Sequence, residues 1–189
     1  MEASQRFAFK VYAEPNQVPA HDYVKTFHKW IQTKRLADEV VIDVADYGHV
    51  VNGPGVVLIC HHANYSVDTL DGRQGVSFNR KRDATGTLGE RIASSLRSTL
   101  TVCRLLEEDV GTALRFSPRE ILFRVNDRLH APNADDAAAF FDTELRSLAT
   151  RLYGGAAKLT RESNDPKELL GLRIEGEGPA NVGALLERI

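Results

Sequence analysis

Residues 55–82, GVVLICHHANYSVDTLDGRQGVSFNRKR, decide how this chain folds. The stretch opens with an apolar, β-branched run, stays extended in character through Leu70, meets Asp71-Gly72 and returns as Arg73 to Arg82. Asp-Gly between two such runs is a strong hairpin signal, because a two-residue turn of the favoured hand needs φ > 0 at both central positions. A turn at Asp71-Gly72 sets Asn64 opposite Asn79 and His62 opposite about Lys81. Upstream, EVVIDVADY (39–47) is another β-rich run, and GHVVNGPG (48–55) carries Asn-Gly and Pro-Gly turn signals. Pairing these runs brings Asp43 opposite Cys60. The whole reads as an antiparallel meander.

Working outward, RFAFKVYA (6–13) alternates Phe7, Phe9 and Val11 with more polar neighbours, the period of a half-buried strand. The chain turns through Pro15 and Pro19. From His21 to about Ala37, Tyr23, Phe27, Trp30 and Ile31 recur at helical spacing. Thr87-Leu88-Gly89-Glu90 fits a capping box, so a helix starts there and runs to about Asp109 with Ile92, Leu96, Thr99, Cys103 and Leu106 on one stripe. Its Glu107-Glu108-Asp109 end opposes the helix dipole and needs partners such as Arg104 or a neighbouring segment. TALRF (112–116) and ILFRVNDRL (121–129) predict a second hairpin around Ser117-Pro118. APNADD introduces a helix burying Phe140, Phe141, Leu145, Leu148 and Leu152 and stopping at Gly154-Gly155. Residues 156–162 and 169–175 predict a third hairpin, and PANVGALLERI a short closing helix.

The expected fold is therefore α+β: a largely antiparallel sheet with helices packed on one side, in the order β-α-β-β-β-α-β-β-α-β-β. The blocks Ser117-Pro118-Arg119-Glu120-Ile121-Leu122 and Asp165-Pro166-Lys167-Glu168-Leu169-Leu170 share a pattern, each following a helix that contains Arg-Leu. A duplicated αββ unit over about 88–129 and 135–176 is one explanation. Common turn and first-turn chemistry is the other.

Composition bounds the function. The 189 residues are 42% hydrophobic and 26% charged, as in an ordinary globular protein, and one domain over 1–189 is expected. With 24 basic and 26 acidic side chains the formal charge is -2, which supplies no global field for a nucleic-acid backbone or an anionic membrane. Cys60 and Cys103 both have apolar neighbours, where free cysteine packs. The start of the chain lacks a signal-peptide pattern and no apolar run approaches a bilayer span, so a cytoplasmic protein is expected.

Chemistry, if present, gathers at one end of the meander. His61 or His62 beside Asp43 would make an acid-base pair suited to neutral pH. Adjacent strand residues face opposite ways, which counts against both histidines sharing one site. His49, His61, His62, Asp43 and Asp46 are the candidate metal ligands, yet no recognised ligand spacing is present and no cofactor is implied. Arg80-Lys81-Arg82, with Arg73 across the hairpin, is the concentrated positive charge and, with Asn79 beside it, suits a small anionic ligand. Two functions are compatible with these residues. The leading one is a non-catalytic ligand-binding or assembly module, self-associating through an exposed sheet edge or helix face. The alternative is a small enzyme, metal-dependent in one version, with a His/Asp pair and an arginine-lined anion site.

Overall fold

The computed structural model describes residues 4–14, 18–111, 114–155 and 157–189. The turn expected at Pro15 and the first residues of the strands expected from 112 and from 156 lie outside them. The elements are β1 (Phe7–Ala13), α1 (Ala20–Thr33), β2 (Val41–Asp46), β3 (Val56–Cys60), β4 (Ala63–Asp68), β5 (Gly75–Arg80), α2 (Leu88–Asp109), β6 (Phe116–Val125), α3 (Asp135–Tyr153), β7 (Lys158–Arg161), β8 (Leu170–Glu175) and α4 (Val182–Leu186). The strands form one antiparallel sheet in the order β2-β3-β4-β5-β1-β6-β8-β7. The α+β class, the antiparallel sheet and the helices packed against it follow the sequence reading.

Strand alternation divides the sheet into two chemistries. Phe7, Phe9 and Val11 of β1 enter the apolar core with Tyr65, Phe78, Phe123 and Leu172 of the neighbouring strands. Helices α1 to α3 supply Phe27, Trp30, Ile92, Leu96, Phe141 and Leu145 to that core. The other face carries Ala8, Lys10 and Tyr12. The capping box at Thr87 forms in both directions.

Four sequence expectations change. His61-His62 is itself a two-residue turn, so the single extended run expected over 55–70 is two strands, with Ile59 opposite Asn64. The turn expected at Asp71-Gly72 is a six-residue loop, 69–74, because Asp71 folds back to bond Lys10 and Tyr12. The register survives unchanged: Asn64 sits opposite Asn79. Asp43 lies opposite Ile59 and Val41 opposite Cys60, displaced by a bulge at Ile42. Finally, the hairpin expected around Ser117-Pro118 is one ten-residue strand, β6. Pro118 is tolerated there because β1 has an irregularity between Val11 and Ala13, and β8 pairs with β6 only from Glu120 onward. Residues 88–129 are thus a helix with one strand, whereas 135–176 are a helix with two.

The acidic end of α2 finds the partners it needs. Arg104 and Arg35 both bind Glu108, Asp109 accepts from Arg35 and from the Trp30 indole, and Glu107 accepts from the Phe116 amide. That end therefore ties α1 and β6 to α2.

Candidate functional site

The residues expected at one end of the meander are dispersed. Asp43 accepts from the amide of Val44 at 2.8 Å, and Asp46 from that of Gly48 at 2.8 Å. His49 is exposed in the 47–55 connection. His61 and His62 are exposed at the β3–β4 turn, their rings 4.8 Å apart and edge-on. His62 meets Glu39 at 3.3 Å, so the carboxylate beside it is Glu39 and not Asp43. Among the described residues no group of three His, Cys, Asp or Glu side chains is placed to hold a metal. Burial, with the Glu39 charge adding to it, pushes the Cys60 thiol up to about 12, as expected of a core cysteine.

Alternation also splits the basic triplet. Arg80 turns to the helix side, donating to Ser95 Oγ from Nε at 3.2 Å and Nη2 at 3.1 Å. The Lys81 and Arg82 amides donate to the His62 carbonyl. Asn79 and Arg73 fall on the other face, and there the structure builds a different site.

That face has Lys10 at its centre. Lys10 is 4% exposed, and its ammonium donates to Asp68, itself 2% exposed, at 2.8 Å and to Asp71 at 2.5 Å. Asp68 also accepts from Ser66 Oγ and the Leu70 amide, and Asp71 accepts from the Tyr12 hydroxyl at 2.7 Å. Burial alone would raise the Asp71 carboxyl, but the hydrogen bonds from Lys10 and Tyr12 outweigh it and hold the group below the ordinary aspartate value. Arg73 stacks on the Tyr12 ring, 3.8 Å from its centroid, and forks to both oxygens of Glu120. Arg173 binds the same glutamate. Two glycines make this arrangement possible. A Cβ at Gly75 would meet the Val11 carbonyl oxygen at 2.7 Å and Lys10 Cε at 2.9 Å, and one at Gly171 would collide with the Glu162 carboxylate.

Two cavities open on this face. One, of about 190 Å³, has Lys10, Ser66, Ser77 and Asn79 among its lining, with Leu122 and Leu169 as apolar walls. The other, of about 460 Å³, is lined by Arg124, Arg128, Glu162, Lys167, Glu168 and Leu169. Arg124 and Leu169 belong to both. Glu162 holds Arg124 in a two-pronged pair, accepting from Nε at 2.8 Å and Nη2 at 2.5 Å. Asn126 Nδ2 donates to Asn79 Oδ1 at 2.8 Å. The wall bearing Lys167 to Leu169 is pinned by buried Asn133, whose Nδ2 donates to the Ser163 and Asp165 carbonyls while its Oδ1 accepts from Arg161.

Of the expected binding residues, Asn79 lines this groove and Arg73 braces its charged floor; the rest lie elsewhere. Lys10, Asp68, Tyr12, Arg124 and Glu162 were not anticipated. The available signal was a charged residue within an alternating apolar strand, Lys10 in FAFKVYA and Arg124 in ILFRV. Compared with protein families, curated proteins and solved structures, the chain matches none, so the reading of this face rests on its own geometry.

Proposed function

We propose that the protein is a non-catalytic binding module that holds a small anionic ligand on the face of its sheet opposite the helices. The observation that carries this reading is the second cavity. Three cationic groups, Arg124, Arg128 and Lys167, line it against two carboxylates, and Glu162 is already matched to Arg124. Arg128 and Lys167 have no ion-pair partner among the described residues. Arg124 keeps donors to spare, since a guanidinium carries five N–H groups and Glu162 takes two. The Lys10 network, by contrast, sets one ammonium against the carboxylates of Asp68 and Asp71, so it offers no free cation to a ligand. The alternative of an enzyme with His61 or His62 paired to Asp43 lacks that pair, because the carboxylate that His62 meets is Glu39, at the β3–β4 turn.

Native mass spectrometry of the gently purified protein, followed by uptake from a panel of carboxylates and phosphate esters, tests the reading. The wild type should retain or take up a small anion at one per chain, and Arg128→Ala with Lys167→Ala should not. Equal uptake by both proteins would dismiss this site.

Self-association is the second part of the proposal, and β2 is its surface. Val40, just before this edge strand, and Ile42, within it, are 64% and 57% exposed. The bulge at Ile42 and the bond of Asp43 to the Val44 amide oppose regular strand pairing, so contact between copies would be made by side-chain packing.

A further inference from the structure

The two cavities are too different in chemistry to serve one kind of group, and they meet at Arg124 and Leu169. The groove over the sheet is walled by Leu122, Leu169, Pro54 and Leu70. The charges at its floor are already spoken for, Lys10 by Asp68 and Asp71, and its amides are partly paired, Asn126 to Asn79. An anion placed there would face Asp68 without a free cation. The neighbouring cavity has the free cations and little apolar wall beyond Leu169. Alone, the 190 Å³ groove is smaller than a typical small-molecule site, ~300–1,000 Å³; joined to its neighbour it falls within that range.

Resting on the binding function proposed above, we infer that the ligand is an amphiphilic acid. Its acid head lies among Arg124, Arg128 and Lys167, and its short aliphatic body runs into the groove between Leu122 and Leu169. Arg124 stands at the junction, and the Glu162 fork fixes its plane so that Nη1 remains for the head. Glu162 is thus a positioning residue, and the space left by Gly171 lets its carboxylate lie flat on the sheet. Asn79 and Asn126, paired to each other, would flank the first carbons of the body. The chemistry shared by a carboxylate and a phosphate monoester head is the same here, a compact anion accepting from a guanidinium and an ammonium.

Calorimetric titration of the full chain with hexanoate, hexyl phosphate, acetate and hexan-1-ol separates head from body. Hexanoate or hexyl phosphate should bind at least tenfold more tightly than acetate or hexan-1-ol, and whichever is tighter names the head. Arg128→Ala with Lys167→Ala should weaken the better acid at least tenfold and leave hexan-1-ol unchanged. Leu169→Asn should weaken that acid and leave acetate unchanged. Acetate binding as tightly as hexanoate, with hexyl phosphate no tighter than acetate, would overturn the amphiphile while leaving a simple anion site. Hexan-1-ol binding as tightly as both acids, or no probe binding at all, would overturn the amphiphile and the anion site together. Unchanged circular dichroism and urea midpoints for the variants would show that a loss belongs to the site.

Discussion

Lys10 illustrates how a charge comes to be buried in a sheet. Its stem crosses β5 where Gly75 offers no Cβ, and its ammonium is taken up by Asp68 and Asp71. Removing one member of a buried pair leaves the others unmatched, so Lys10→Met should cost about 3–5 kcal/mol in urea unfolding. Adding Asp68→Leu should recover part of that loss, since no carboxylate would then face the methionine from that side. Asp71 gives the same network a pH signature. Its folded-state pKa is depressed, so its contribution is fully present above the unfolded value of ~3.9 and is lost as pH falls through the folded value. Asp71→Asn should lower stability at neutral pH, and the gap between variant and wild type should narrow as the medium is acidified below about pH 4. A gap that stays constant to low pH would show that Asp71 is not held by Lys10 and Tyr12.

The elements were legible from the sequence wherever local rules act alone. The Thr87 capping box, the Asn64–Asn79 register and the need of the Glu107-Glu108-Asp109 end for partners follow from short-range pattern. Reading failed where a distant group overrode the local one. Asp71 left its turn for Lys10 and Tyr12, some 60 residues away in sequence. His61-His62 lacks turn residues of the usual kind, yet it reverses the chain because β2 and β4 both align on β3. The tie between α1 and α2 offers a check on this level. Trp30 is fully buried and its Nε1 donates to Asp109 at 2.8 Å. Asp109→Leu should leave that N–H unpaired at a cost of about 1–3 kcal/mol, whereas Asp109→Asn, which keeps an acceptor, should cost less. Urea midpoints read through Trp30 fluorescence distinguish the two, and equal losses would mean the bond contributes little.

Strand order is what the sequence could not supply, and strand order makes the site. β1 sits in the middle of the sheet between β5 and β6, which places Lys10 beside Ser77 and Leu122, and Ala8 between Asn79 and Arg124. Those neighbours lie 67 to 116 residues apart from β1 in the chain, so no local pattern announces them. The hairpin with Asn64 announces Asn79 locally, but its groove partner Asn126 follows directly on the end of β6. The outer strands bear on assembly. β7 is a four-residue edge bearing Lys158 and Arg161, while β2 shows Ile42, and the residue before it, Val40, to solvent. If β2 mediates self-association, sedimentation velocity should show a concentration-dependent larger species that Ile42→Asp abolishes; a wild type that sediments as one monomeric species up to high micromolar concentration would exclude it.

The most direct test is amide chemical-shift mapping of the isotope-labelled full chain titrated with hexanoate. Shifts confined to Ser77, Asn79, Leu122 to Asn126 and Lys167 to Leu169 are expected. Shifts centred instead on Glu39, His61, His62 and Arg80 to Arg82, with the sheet face unmoved, would contradict a binding site on the open face.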